Sequence, residues 1–214
     1  MTTRIESLRG RLVAELAPVQ PLAAWRAWLV TAIVLAAAMV AIAMNMGVRS
    51  DILALRPDPI ALLRSGTLLL LGVISGAGAI ASARPWTRGI RSDWKVTLAA
   101  AALFPLAAIV QIAAVPATAM PAIFTPSSSE CLIVSLTVAL ALATVFTVWL
   151  RRGAPASPER SGLLAGLAAG ALGGFAYSIH CPYSGIAYIG IWYPLVVTIA
   201  AIAGRVFISR LVRW

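Results

Sequence analysis

The sequence predicts an all-α integral membrane protein, a bundle of six transmembrane helices with both termini in the cytoplasm. Three observations predict it. Apolar residues fill 61% of the 214 positions and charged residues only 11%, against about 45–50% and about 25% in an ordinary soluble domain. Six apolar runs reach the length of about 20 residues that a bilayer core of about 30 Å demands of a helix. The 17 Lys and Arg residues sit between those runs and fall mostly on one side. This composition excludes an ordinary soluble enzyme, a disordered regulator and a nucleic-acid-binding domain of standard type. The net charge of +10 is explained by topology selection, so no direct nucleic-acid contact is expected.

The chain opens on an arm, residues 1–27, that reads as an amphipathic helix on the cytoplasmic side. Ile5, Leu8, Leu12, Val13 and Leu16 recur at spacings of three and four, with Arg4, Glu6, Arg9, Arg11 and Glu15 between them and Pro18 ending the run. Such a helix lies on the inner leaflet or offers its apolar stripe to a protein groove. The acidic residues and length of this arm argue against a cleaved signal peptide. The transmembrane domain, 28–208, holds the expected spans Trp28–Met46, Ser65–Ala83, Val96–Val115, Cys131–Leu150, Gly162–Ile179 and Ile186–Gly204. Residues 209–214 form a short basic tail.

Orientation follows from the basic residues. The arm, the second and fourth loops and the tail carry fourteen Lys and Arg, whereas Arg49, Arg56 and Arg64 in the first loop are the three on the other side. The positive-inside rule places the fourteen in the cytoplasm. Within the fifth span Gly162, Gly166, Gly170 and Gly174 stack on one helix face, where missing side chains let another backbone approach. Packing inside the bundle is the favoured use of that face, and contact between two copies is the alternative. Pro105 and Pro194 each remove a backbone donor and can bend their helices. No Asp, Glu, Lys or Arg is expected deep within a span, which argues against a pump or ion-coupled transporter. HExxH, GxSxG and paired intramembrane aspartates are missing from the sequence, so no enzyme and no cofactor are expected.

Both cysteines, Cys131 and Cys181, fall at outer span ends, where an oxidising exterior lets thiols pair. Cys181 follows His180, the one histidine of the chain, and Cys131, Cys181 and His180 together would suit a soft metal. Disulfide switching is favoured over coordination, because Glu130 is the sole candidate for a fourth ligand. Small apolar filler is the bland use of both thiols.

The chain resembles the NrsF-type anti-sigma-F factor family of six-helix inner-membrane proteins. The matching pieces run from Leu16-Ala17-Pro18-Val19 through Cys131-Leu132 and Leu150-Arg151-Arg152-Gly153-Ala154-Pro155. They continue with Gly166-Leu167-Ala168-Ala169-Gly170, Tyr177-Ser178-Ile179-His180-Cys181-Pro182, Trp192-Tyr193 and Arg213-Trp214. The resemblance implies a negative regulator that holds an extracytoplasmic-function sigma factor at the inner membrane and releases it on oxidative or metal stress. On that basis the sigma factor is expected on the cytoplasmic side, against Ile5, Leu8, Leu12 and Leu16 of the arm and Arg151 and Arg152 of the fourth loop. A small membrane transporter or channel is the competing function, and without the resemblance the residues indicate only a six-span membrane protein of no assigned role.

Overall fold

The computed structural model describes residues 23–83 and 126–213. The described residues are helical with no strand. Among the described residues, five helices are long and apolar enough to cross a membrane. They are α1 (Ala24–Met46), α3 (Pro59–Ser82), α4 (Pro126–Arg151), α5 (Pro158–Ser178) and α6 (Ile186–Ala203), with a short α2 (Ser50–Leu53) between the first two. The chain continues from α6 through a wide π turn (Gly204–Ile208) into α7 (Ser209–Val212). The expected third span, Val96–Val115, and the arm through Leu16 lie outside the described residues.

Helix boundaries follow local chemistry. Asp58 caps α3 by accepting from the Ile60 N–H at 3.0 Å, and Pro59 opens the helix where no backbone donor is needed. Pro158 opens α5 at the same kind of position, here without a side-chain cap from Ser157, and the acidic Glu159 in the first turn favours the positive helix end. The second span therefore starts six residues before its expected first residue, Ser65. Arg64 is consequently a residue of a helix and not of a loop. α1 stops at Gly47, whose φ of 86° suits glycine and whose N–H donates to the Ala43 carbonyl at 3.1 Å. At the far end, the expected tail is not free: Ser209 and Val212 are buried.

The bundle is built around α5, which packs against α3, α4 and α6. From Ser161 to Ser178 every residue of α5 except Leu163 and Phe175 is buried, although it is the least hydropathic of the five spans. Lipid tails are as apolar as leucine side chains, so close backbone approach, not hydrophobicity, selects the central helix. A Cβ at Gly162 would lie 2.5 Å from the Gly204 carbonyl oxygen, and one at Gly170 would lie 3.0 Å from Val197 Cα. At Gly166 it would collide with the Ala200 carbonyl oxygen, and at Gly174 it would meet Tyr193 at 3.2 Å. The glycine face is thus filled by α6 and the π turn of the same chain, which leaves that face closed to a second copy. Outward-facing Leu29, Ile33, Leu63, Leu70, Ile133, Leu140 and Ile202 are exposed, which is the surface a bilayer would cover.

Contacts between chain segments define the two ends. At one end Arg49 and Arg64 meet the turn between α5 and α6, and Tyr188 reaches Ser127 near the start of α4. At the other end the Ala154 N–H donates to the Ala83 carbonyl, and Arg213 meets Glu159. α3 therefore finishes at the end opposite the one where α4 begins.

Candidate functional site

Cys131, the sixth residue of α4, and Cys181, in the turn after α5, are both buried with 0% exposure. Each is a free thiol. They share one apolar cluster with Leu68, Leu71, Tyr177, Tyr188 and Tyr193. The Cys131 thiol is flanked by the hydroxyls of Tyr188 and Ser135 and lies within electrostatic reach of Cys181. Tyr188 is held in place by donating to the Ser127 carbonyl at 3.2 Å. The Tyr193 hydroxyl lies beside Cys181. The hydroxyls of Tyr177, Tyr193 and Ser135 are buried with no hydrogen-bond partner among the described residues, an uncommon state for buried polar atoms.

Two arginines that sequence reasoning assigned to an exposed loop hold the Cys181 turn. Arg49 is 9% exposed and Arg64 2%. Arg49 forks onto the Asp51 carboxylate through Nε and Nη2, both at 2.9 Å, and its Nη1 donates to the Cys181 carbonyl at 2.7 Å. Its Nη2 also reaches Ser184 Oγ at 3.3 Å and lies 3.9 Å from Asp58. The hydrogen bond from Arg49, followed by that from the Asp58 N–H, holds the Asp51 carboxyl well below the usual range. Asp58 is lowered too, first by the Ser184 hydroxyl and then by the Ile60 N–H. Arg49 is correspondingly raised, chiefly by its bond to Asp51. Both acids therefore stay ionised, and the pair keeps its charge-assisted geometry.

Arg64 works differently. Its Nη1 donates to the Tyr183 carbonyl at 2.9 Å and its Nη2 to the Ser178 carbonyl at 3.1 Å, bracketing Cys181 in the chain. Its guanidinium carbon lies 5.0 Å from the centroid of the Tyr193 ring, a cation–π distance. The Ser65 and Ser178 hydroxyls meet at 2.9 Å, and the Arg49 N–H donates to the Ile179 carbonyl at 3.1 Å. The segment from Ser178 to Ser184 is thus tied to the α1–α3 connection and the first turns of α3 at many points.

The less favoured use of Cys131, Cys181 and His180, as a metal set, finds no support in the geometry. Among the described residues no three His, Cys, Asp or Glu side chains gather as a set able to hold an ion. His180 Nδ1 pairs instead with the Gly47 carbonyl at 3.0 Å, because the turn that buries Cys181 leaves its neighbour facing the end of α1.

The opposite end carries the charged surface. Arg151, Arg152, Arg160, Arg205 and Arg210 are exposed there, and Glu159 links α5 to the last turns through Arg205 at 3.5 Å and Arg213 at 3.2 Å. Gly153 sits so close to Ala83 that an added Cβ would overlap the Ala83 carbonyl oxygen, which fixes the fourth loop against the end of α3. Ile5, Leu8, Leu12 and Leu16 lie outside the described residues.

A family model described as "Negative regulator of sigma F" (NrsF) matches residues 12–214. A curated relative from Azospira oryzae, described as "Probable anti-sigma-F factor NrsF", is 31% identical over 132 residues, which cover 59% of this chain and 61% of that protein. The chain therefore spans about three-fifths of the length of that relative. No solved structure matches.

Proposed function

The chain belongs to the NrsF family of negative regulators of sigma F, and from that premise we propose that it holds an extracytoplasmic-function sigma factor at the bacterial inner membrane and releases it when Cys131 and Cys181 are oxidised. The observation that carries the reading is the family match along residues 12–214. The gathering of both thiols in one cluster supports the sensor half. They lie at the end opposite the exposed basic surface, so signal and output occupy different ends of one bundle.

The six-span, both-termini-inside topology is part of this proposal. α3 and α4 leave residues 84–125 joining opposite ends of the bundle, which is what an additional crossing would require. The charge count of fourteen against three supports an outward-facing Cys131–Cys181 end. A reporter fused after residue 214 should be active only in the cytoplasm. Periplasmic activity would overturn the topology and the sensor assignment together.

Coupling between the ends runs through α5. Arg49 ties the Cys181 turn to the α1–α3 connection and Arg64 ties it to α3, and Glu159 ties the other end of α5 to the last helical turns. A disulfide requires Cα atoms within about 7 Å, so closing it would tie the Cys181 turn covalently to the start of α4. Moving a holding equilibrium from 99:1 to 1:99 takes about 5.5 kcal/mol, or roughly 120 mV for a two-electron couple.

The partner surface in this reading combines the arm with the basic fourth loop. Leu8→Asp with Leu12→Asp should abolish co-purification of the sigma factor while the protein remains in the membrane fraction. Full retention of the partner would assign the arm to the lipid surface alone.

A further inference from the structure

Arg64 is a buried cation that the packing leaves uncompensated. No carboxylate among the described residues pairs with it, because Asp51 and Asp58 face Arg49. Its two Nη bonds go to backbone carbonyls, which satisfy hydrogen bonding but carry no countercharge. Its Nε–H is buried with no partner among the described residues. A buried charge in that state favours any anion that can form beside it. The apolar cluster that contains Tyr193 offers two thiols and the hydroxyls of Tyr177 and Tyr193, which have no hydrogen-bond partner among the described residues. Tyr193 connects the groups, with its ring under the guanidinium and its hydroxyl beside Cys181.

We infer that Arg64 is the positioning residue of the cysteine pair, supplying the countercharge under which one buried thiol reacts as a thiolate, with the Tyr193 hydroxyl as its hydrogen-bond donor. The inference rests on the redox reading above and names the oxidant class, a hydroperoxide. The thiolate sulfur attacks the terminal peroxide oxygen, so that an S–O bond forms while the O–O bond breaks. Sulfur loses two electrons, and the departing hydroxide or alkoxide takes up the proton that the thiol gave up. The second thiol then attacks the sulfenic sulfur; an S–S bond forms and water leaves with its proton.

The test uses the full chain in detergent micelles, with iodoacetamide alkylation and hydrogen peroxide oxidation followed by mass spectrometry across pH. The shape of the pH profile is the readout, because any opening that admits the reagent scales all rates together. Arg64→Gln should slow both reactions roughly tenfold near neutral pH and displace the profile upward by about one unit. Arg64→Lys, which keeps the charge, should recover most of the rate. Superimposable profiles for wild type, Arg64→Lys and Arg64→Gln overturn the inference. Should Arg64→Gln not fold, Tyr193→Phe decides alone: it removes only the donor hydroxyl and keeps the ring, and a profile equal to wild type overturns the inference. If Arg64→Gln slows the thiols while Cys131→Ser and Cys181→Ser proteins still release their partner on oxidation, the redox reading fails and the role of Arg64 stands.

Discussion

Replacing Gly166 with alanine is expected to destabilise the bundle by about 3 kcal/mol or more, the upper end of what overpacking costs. The added methyl would overlap the Ala200 carbonyl oxygen and approach Ala201 Cα at 3.0 Å. Those atoms are backbone, so relief requires α5 and α6 to separate along their length, unlike a side chain that can change rotamer. Separation would in turn loosen Gly162 from Gly204 and Gly170 from Val197, since all three contacts lie on one seam. Gly66→Ala is the matched control. No atom lies within 4 Å of its added methyl, and alanine is favoured over glycine within a helix by up to about 1 kcal/mol. Unfolding in mixed micelles should show a large loss for Gly166→Ala and none for Gly66→Ala. Equal stabilities would mean that the two helices do not pack along this seam.

The glycine period was legible in the sequence, but its partner was not. Four-residue spacing tells which face is smooth, whereas the identity of the opposing helix is decided by the whole bundle. The cysteines were legible as residues of one end, because span boundaries and charge asymmetry place both there. Their burial was not legible: it depends on Tyr177, Tyr188 and Tyr193 converging from two helices. Arg49 and Arg64 were misplaced for a physical reason. A basic residue beside an apolar run reads as an exposed topogenic charge, and the partners that bury these two include carbonyls far away in the chain, Cys181 for Arg49 and Ser178 and Tyr183 for Arg64. Two local signals pointed the right way. Asp58-Pro59 opens a helix before Arg64, and Asp51 and Asp58 supply acids beside Arg49 on the side where charge is otherwise scarce.

The second large effect concerns the switch. Cys131→Ser and Cys181→Ser should each leave the protein inserted and folded, since a hydroxyl replaces a thiol of similar size. The Cys131 position already faces the hydroxyls of Tyr188 and Ser135, and Cys181 lies beside Tyr193. Neither variant can form the intramolecular S–S bond. A swing from 99:1 to 1:99 corresponds to a change of about 10⁴-fold in the holding ratio, and that change should vanish in both single variants. Transcription from a promoter read by the released sigma factor should therefore rise with peroxide in wild type and stay flat in either variant. A normal rise in both would make the cysteines packing residues.

The central claim is that the thiol state of this buried pair sets whether the partner is held. Its most direct measurement is co-purification of the sigma factor with detergent-solubilised protein, before and after peroxide, with the Cys131–Cys181 bond scored in the same samples by non-reducing mass spectrometry. Wild type should lose its partner in proportion to the disulfide formed and regain it on reduction, while Cys181→Ser keeps the partner throughout. Release that occurs without the disulfide, or a disulfide that forms without release, would contradict the account.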